Sequence, residues 1–577
     1  VWTFAVDKDL EDYAYDYELT FADGTVNTSA DPYATAAVVN GERSVVLSDK
    51  EKGSAGKRME SFSKPTNAII TEASVRDLTI DPSSGVDEDN RGKFLGMVQE
   101  GTTVNGVEGA ASTGVDYLKS LGVTHVQIMP SYDFGSVDET GDLSYGAQYN
   151  WGYDPENYNV PEGSYSSDPS DPSARVKEMK QMVSGLHKNG LYVVMDVVYN
   201  HVYNASEHAF NKTVPGYYFR YDANGNLTNG SGCGNDVASE RAMARKYIVD
   251  SVKYWATEYN VDGFRFDLAA TLGRFATGFS PMHPLLIAMA TDGILAHTKL
   301  IAEPWDVGPG GWQTGNFPVP FSEWNDHYRG ALRNFWLADV RAQASGHIVS
   351  GPNDLATRLS GSQDVFEHGL GRLRGPRASI NFVTAHDGFT LADLTAYDRK
   401  HNTANLENNR DGSDDNRSWN HGVEGTLAVN ATHPNAMTPY AILTDMTIAD
   451  LRARSQRNIL TTMFVSSGTP MLTGGDEFGR TQYGNNNAYC QDSPISWVDW
   501  DLAEGQLEQI DTVSWLIALR QAHPVLRPDH FATGTPYGGD TIPDLSWYTA
   551  QGTPMPDYGW TDARHRAFQM LRSGVTW

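Results

Sequence analysis

Three acidic residues, Asp267, Glu303 and Asp387, each stand at the end of a short apolar run that is typical of a buried β-strand. Arg265 lies two residues before Asp267, so on a strand both side chains point to the same face. A guanidinium beside a carboxylate favours its ionised form, which can act as a nucleophile. For this strand by itself, an Arg–Asp pair with a purely structural role is the simpler explanation.

The other polar segments of the chain favour a catalytic role for this pair over a structural one. Five polar segments fall at or just after predicted strands: residues 149–155, 196–201, 265–267, 303–306 and 385–388. Buried like charges raise one another's pKa, so a core built for stability alone would not collect three carboxylates. Hydrolysis of a glycosidic bond needs such a set, because one ionised carboxylate attacks the anomeric carbon and a protonated one delivers a proton to the leaving oxygen.

Strands that alternate with helical patterns are needed to position these groups. The predicted strands cover residues 68–75, 123–129, 191–198, 261–267, 299–303, 379–384 and 470–473, with a weakly marked eighth at 364–366. Eight such units predict a closed (β/α)8 barrel, in which catalytic groups lie at the carboxyl ends of the strands.

The barrel is predicted to occupy residues 63–525, between two β domains. Residues 1–62 are predicted to be a partial N-terminal β-sandwich, similar to a carbohydrate-binding module, and residues 526–577 a truncated C-terminal β domain. Residues 201–235 form a small inserted subdomain in this prediction, and 398–425 a substrate-shaping loop. Because both terminal sandwiches are expected to be incomplete, we expect the chain to be less soluble than a version extended at both ends. Four aromatic residues are expected to be more exposed than in complete sandwiches: Trp2, Phe4, Trp547 and Trp577.

Composition excludes several other functions. The 577 residues carry a formal charge of −28, from 44 basic and 72 acidic residues, with no basic cluster, so nucleic acid and anionic membranes are not expected as partners. The two cysteines, Cys233 and Cys490, have no metal-ligand spacing and indicate no disulfide framework. No apolar run is long enough for a transmembrane helix. We expect a soluble monomer, in the cytoplasm rather than secreted.

The polar segments resemble the shared motifs of the α-amylase superfamily of glycoside hydrolases, and more narrowly those of its α-1,6-debranching members. Up to about Phe266 the chain is most similar to type I pullulanases, at residues 149–155, 229–235 and 250–255. From Leu268 onward it is most similar to bacterial isoamylase-like glycogen-debranching enzymes, at residues 299–306, 381–388 and 484–492. Ala302-Glu-Pro-Trp305 replaces the Gly-Glu-Gly-Trp of type I pullulanases.

The resemblance implies a role for each matching residue. It makes Asp267 the nucleophile, Glu303 the general acid and base, and Asp387 the residue that stabilises the transition state. The sugar subsite would be lined by Arg265, His201, His386, Tyr153 (stacked under the sugar) and Trp305 (beside the acid), with support from Asp196 and Asn200. Purely structural roles for Asp196 and Asn200 are an equal alternative.

The implied function is retaining hydrolysis of α-1,6 branch linkages in pullulan, starch or glycogen. An α-1,4-glucan hydrolase, a branching transferase of the same fold, and a non-catalytic α-glucan-binding protein are the alternatives. No cofactor is required for this chemistry. Some relatives bind calcium, and Asp222, Asn224 and Asn226 alternate as in an oxygen-ligand loop, but the closing Glu of an EF-hand is missing and a hairpin turn is preferred.

Overall fold

The computed structural model describes residues 5–62, 64–142, 148, 150–369, 374–425, 447–536, 538–539 and 541–574. Trp2, Phe4, Tyr149 and Trp577, which figure in the predictions above, lie outside these ranges. None of the helices described is both long enough and apolar enough to cross a membrane.

The strands follow one another in this order: β1 (Ala14–Tyr15), β2 (Tyr17–Thr20), β3 (Val26–Ser29), β4 (Ser44–Val45), β5 (Ile70–Ala73), β6 (His125–Ile128), β7 (Tyr132–Phe134), β8 (Pro155–Pro161), β9 (Tyr192–Val197), β10 (Gly263–Phe266), β11 (Arg274–Phe275), β12 (Gly278–Phe279), β13 (Lys299–Ala302), β14 (Ser322–Trp324), β15 (Ser379–Asn381), β16 (Thr469–Thr473), β17 (Leu545–Thr549) and β18 (Phe568–Arg572).

The α-helices are α1 (Asp49–Lys52), α2 (Gly114–Leu121), α3 (Pro172–Lys188), α4 (Ala209–Thr213), α5 (Ala242–Glu258), α6 (Ala269–Leu272), α7 (Pro284–Thr291), α8 (Asp326–Arg333), α9 (Asp339–Ala344), α10 (Asn353–Leu359), α11 (Gln363–Phe366), α12 (Leu391–Leu394), α13 (Ile448–Val465) and α14 (Glu504–Ala522).

Eight strands close into a barrel in the order β10-β13-β14-β15-β16-β5-β6-β9, which confirms the predicted (β/α)8 class. Seven of the eight overlap the predicted strands. The helix α3, between β8 and β9, starts at a side-chain cap: Asp171 accepts the Ser173 N–H at 2.8 Å and Pro172 occupies the first helical position.

The predicted eighth strand was wrong. Residues 363–366 form the short helix α11, whose Val365 and Phe366 pack against Ala378. The eighth strand is instead β14, only three residues long, and its central Glu323 is fully buried because it pairs with Arg374 at 2.5 Å. A charged residue at the centre of so short a run conceals a buried strand from any search for apolar patterns.

The chain divides into two compact units, of which the first comprises Val1–Ser61, Ser74–Val115 and Ile128–Gln313. Within it, β9, β10 and β13 pair in parallel, and Arg265 lies directly opposite Asp196 in the register. Ahead of the barrel, β1 pairs with β4 and β2 with β3 as two separate antiparallel ribbons. Whether residues 1–62 form a partial sandwich stays a prediction.

The second unit comprises Phe62–Ala73, Asp116–Gln127 and Thr314–Trp577. Here β14, β15, β16 and β5 pair in parallel, and Glu72 near the end of β5 lies opposite Thr473. Beyond α14, β17 and β18 form one antiparallel pair, in which Trp547 is half-buried and packs edge-on against Trp560. The boundaries at 62 and 525 are untested predictions.

In the inserted region, His208 caps helix α4 as a neutral ring. Its Nδ1 accepts the Phe210 N–H at 3.1 Å, while Nε2 lies 2.8 Å from the Glu156 carbonyl and therefore carries the proton. Nδ1 has to accept a hydrogen bond, and the ring is buried. Burial accordingly lowers the pKa of His208 to about 4.

We expect this histidine to weaken the fold in acid. The unfolded ring binds a proton below about pH 6.5, whereas the folded ring does so only near pH 4, so its contribution is complete above pH 6.5 and is lost as the pH falls. The advantage in unfolding free energy over His208→Gln should shrink by up to about 1.4 kcal/mol per pH unit between these values. Urea unfolding of both proteins across this range measures it. A difference that does not vary with pH would contradict the assignment.

Candidate active site

Arg265 is the centre of the site in the first unit. It is fully buried on β10, and its guanidinium contacts three carboxylates. Nη1 lies 2.9 Å from Asp196 Oδ1 and 3.1 Å from Asp267 Oδ1, while Nη2 lies 3.0 Å from Glu303 Oε2. Burial by itself would lower the pKa of Arg265, but the charges of Asp196, Glu303 and Asp267 outweigh it and raise that pKa well above its usual value. Arg265 thus stays charged and joins the two predicted catalytic carboxylates.

A strained turn positions the carboxylate of Glu303. Leu268, directly after Asp267, has left-handed backbone angles (φ 39°, ψ 49°), a conformation that costs a residue with a side chain about 1–2 kcal/mol. In that conformation the Leu268 N–H donates to Glu303 Oε2 at 2.6 Å. The backbone that follows Asp267 therefore fixes the carboxyl group of Glu303. No sequence pattern identifies a leucine in this role.

Asn200 binds Asp267 directly, and His201 in turn contacts Asn200. Asn200 Nδ2 donates to both the carbonyl oxygen and Oδ2 of Asp267, each at 2.9 Å. The side chain of His201 lies 2.6 Å from Asn200 Oδ1 through Nδ1, and 2.8 Å from the Tyr153 carbonyl through Nε2. Burial lowers the pKa of His201, although the charge of Asp267 and the Tyr153 carbonyl favour the protonated ring.

Tyr153 and Asp196 complete this group. The Tyr153 hydroxyl donates to Asp196 Oδ2 at 2.7 Å, and its ring lies 6.0 Å from the Arg265 guanidinium. Tyr153 is half-exposed, whereas Asp196 and Asn200 are fully buried. This burial supports the positioning alternative for Asp196 and Asn200 over direct contact with a sugar.

Trp305 follows Glu303 by two residues, on the loop after β13. It is half-buried, and its ring is stacked on that of Trp312, with centroids 5.1 Å apart. Trp312 is not among the residues predicted from the sequence. The preceding β13 ends at Ala302, so Glu303 and Trp305 both lie at the carboxyl end of a barrel strand.

The remaining two predicted residues, His386 and Asp387, lie in the second unit after β15. Glu72 on β5 accepts the His386 backbone N–H at 2.7 Å and lies 3.0 Å from His386 Nδ1. Glu72 is buried and was missed, although a carboxylate inside the apolar run Ala68-Ile-Ile-Thr-Glu-Ala73 is a usable signal. Asp387 itself is exposed.

The turn that carries Asp387 is held on several sides. Arg333 donates from Nε (2.9 Å) and Nη2 (2.6 Å) to the Val383 carbonyl. Asp476, whose pKa is raised to about 6 by burial, accepts from the Thr384 hydroxyl and from the Leu391 N–H. Gly388 has a φ of +92°, which favours glycine, and its N–H donates to the Asn486 carbonyl at 2.9 Å.

Asn486 also joins this turn to the predicted substrate-shaping loop. Asn402 donates to Asn486 Oδ1 at 2.8 Å, and Asn486 Nδ2 donates to Asn416 Oδ1 at the same distance. Within the loop, Asn405 donates to Asp411 Oδ2 at 2.7 Å. Residues 398–425 are thus ordered by buried amide pairs, as expected of a loop that shapes a site rather than of a disordered one.

Two groups bear on the question of calcium. In the loop considered from the sequence, Asp222 Oδ1 accepts the N–H groups of Asn224 (2.8 Å) and Asn226 (2.9 Å), which closes a hairpin turn. A second group was not anticipated: Asp133, Glu139 and Glu162 are buried, with carboxylate oxygens within 4.8 Å of one another. Arg175 lies among them, 2.5 Å from Glu139 and 3.7 Å from Asp133. A guanidinium thus already supplies the positive charge that a cation would bring.

Comparisons with known proteins show that the chain is similar to members of the α-amylase family. Residues 98–226 match the family model of the α-amylase catalytic domain. The chain is 38% identical over 515 residues to the glycogen operon protein GlgX homolog of Mycobacterium tuberculosis, spanning 88% of this chain and 65% of that protein. It is 38% identical to the glycogen debranching enzyme of Erwinia tasmaniensis, over 87% of this chain and 68% of the relative.

The chain is also similar to solved structures of pullulanases. The chain matches the pullulanase from Paenibacillus barengoltzii in complex with maltohexaose and α-cyclodextrin at a TM-score of 0.72 and 33% identity, covering 91% of this chain and 74% of that one. The pullulanase from Bacillus acidopullulyticus matches at a TM-score of 0.71 and 34% identity, with 91% and 57% covered. Both sets of relatives cover most of the chain, so neither similarity is confined to one half of it.

Proposed function

This chain belongs to the α-amylase superfamily and, within it, to the family of the glycogen debranching enzymes, and from that membership we propose that it is a retaining hydrolase of α-1,6 branch linkages in glycogen, starch or pullulan. Because the chain spans about two thirds of the mycobacterial relatives' length, the activity of the whole protein is part of this proposal. The observation that carries it is the pair of carboxylates, Asp267 and Glu303, joined by the Arg265 guanidinium.

In the proposed reaction, Asp267 attacks the anomeric carbon and forms a covalent glycosyl-enzyme. Glu303 protonates the leaving oxygen and then, as a base, removes a proton from the water that hydrolyses the intermediate. The contacts of Asp267 with Arg265 and Asn200 hold its carboxyl group in place for the attack that a nucleophile makes. A separation of about 5–5.5 Å between the two carboxyl groups, the retaining spacing, stays a prediction.

We assign a role to each of the other predicted residues. Asp387 would stabilise the transition state, with His386, His201, Arg265, Tyr153 and Trp305 lining the sugar subsite. Asp196 and Asn200 would act through Arg265 and Asp267, which they contact. A non-catalytic glucan-binding protein is the less favoured alternative, because binding does not require two carboxylates arranged on one guanidinium.

The reaction as proposed uses side chains alone and needs no cofactor. A structural calcium ion, a monomeric state and a cytoplasmic location stay predictions from the sequence. An α-glucan as substrate is supported by the pullulanase solved with maltohexaose and α-cyclodextrin, and the branch linkage by the relatives named glycogen debranching enzyme.

Bond choice distinguishes the proposal from an α-1,4 hydrolase of the same fold. We expect release of linear α-1,4 chains from glycogen or amylopectin, while linear amylose is hydrolysed at least about 100-fold more slowly, a difference of about 3 kcal/mol in transition-state binding. Product sizing before and after treatment with a purified debranching enzyme measures this. Asp267→Asn serves as the control for contaminating amylase. Equal rates on amylose and amylopectin would contradict the proposal.

A further inference from the structure

Two stacked tryptophan rings lie on the loop that follows Glu303 in the sequence, and the more exposed of them, Trp312, presents an apolar ring to solvent. Trp305 and Trp312 are stacked with an interplanar angle of 12° and centroids 5.1 Å apart. Trp312 is 56% exposed, although an indole is among the most favourable side chains to bury. Exposed tryptophans of this kind are typical of binding surfaces, where a partner covers the ring.

The loop that carries this pair is fixed. Asp306, between the two tryptophans, accepts from Arg274 Nε at 2.6 Å and Nη2 at 2.7 Å, as well as from the Gly308 N–H at 2.9 Å. Val307 donates its N–H to the Gly230 carbonyl at 3.0 Å, which ties the loop to the inserted region. A bidentate Arg–carboxylate pair of this geometry resists movement. The two rings therefore form a preorganised platform, which loses little entropy when it binds.

The chemistry of the site indicates what this platform binds. A general acid must lie next to the oxygen that leaves, so the leaving group occupies the side of Glu303. In the cleavage of an α-1,6 branch, that leaving group is the main glucan chain. The apolar C–H faces of successive glucosyl residues fit flat against aromatic rings.

We propose that Trp312, stacked on Trp305, binds the main chain of the glucan on the leaving-group side, and makes the enzyme prefer branches on longer main chains over a branch on a single glucosyl residue. This inference rests on the proposed function and extends it, because it makes the rate depend on the length of the acceptor chain. Trp312 is the residue to test, because Trp305 is already assigned to the sugar subsite.

The test uses a series of branched oligosaccharides with an identical maltotriosyl branch, attached to main chains of one, three or six glucosyl residues. For Trp312→Ala we expect KM to rise about tenfold on the two longer main chains, with kcat/KM on the single glucosyl acceptor within about twofold of the unchanged protein. Trp312→Tyr, which keeps a flat ring, should restore most of the lost affinity. Trp515→Ala, at a tryptophan that is 62% exposed on α14, is the matched control and should leave all three substrates unaffected.

The outcomes separate this inference from the proposed function. An equal loss on all three substrates would mean that Trp312 supports the structure of the loop only, and would overturn the inference. No loss on any of them would also overturn it. If the unchanged protein hydrolyses none of the series, the proposed function fails, and the inference fails with it.

Discussion

Replacing Asp267 by asparagine is expected to lower turnover of a branched α-glucan by at least about 10⁴-fold, because an amide cannot form the glycosyl-enzyme. The fold should tolerate the change. An asparagine keeps one oxygen that can accept from Arg265 or Asn200, both of which now contact the carboxylate. Initial rates of reducing-end release, together with glucan binding measured by calorimetry, test this. Binding should change little.

Two further variants make this result specific to a nucleophile. Asp511→Asn, an equivalent change at an exposed position on α14, should retain full activity. Asp267→Gly with added azide should regain activity and release a glycosyl azide of the opposite anomeric configuration, because the small anion attacks where the carboxylate was. If Asp267→Asn kept more than about a tenth of the normal rate, the nucleophile would have to be another residue.

Replacing Glu303 by glutamine is expected to lower the rate on α-1,6 linkages by about 10²–10⁴-fold, the usual contribution of general acid catalysis. Glutamine keeps an oxygen for the Leu268 N–H and for Arg265, so the geometry of the site should survive. A maltotriosyl fluoride does not need a proton on its leaving group. On this substrate the variant should release a burst of about one fluoride per protein, after which hydrolysis of the intermediate is slow for lack of a base.

The burst distinguishes the acid from a residue that merely binds sugar. A binding residue would slow the fluoride and the natural linkage alike. Glu508→Gln, exposed on α14, is the matched control and should behave as the unchanged protein on both substrates. Equal losses on fluoride and on the natural linkage would contradict the assignment of Glu303.

The barrel was predictable where its strands are apolar, and not elsewhere. The runs around Val194 and Phe264 are rich in β-branched or aromatic residues, which is typical of buried parallel strands. The strand at 322–324 has a buried Glu323, whose charge is compensated by Arg374 from a distant segment. Only the tertiary fold brings Arg374 to Glu323, so a local sequence pattern does not reveal this pair.

Like the barrel, the candidate site could be predicted from the sequence only in part. Its carboxylates could be predicted because charged groups at the ends of apolar strands are costly unless they act. Leu268 could not, because its role depends on backbone angles that leucine seldom adopts. Trp312 was missed because a tryptophan is as often part of a core as of a surface, and only the fold shows that this one is exposed.

The three carboxylates around Arg265 also constrain how this protein can change over generations. Removing Asp267 or Glu303 would take away the proposed nucleophile or acid but leave Arg265 paired with Asp196, so the fold can persist. Removing Arg265 instead leaves buried carboxylates without their counter-charge, which typically costs about 3–5 kcal/mol. Effects of substitutions in one charged cluster depend on their order. A duplicated copy that drifts towards glucan binding alone should therefore lose its catalytic carboxylates early and its Arg265–Asp196 pair late, and that order of loss would mark such descendants among sequences.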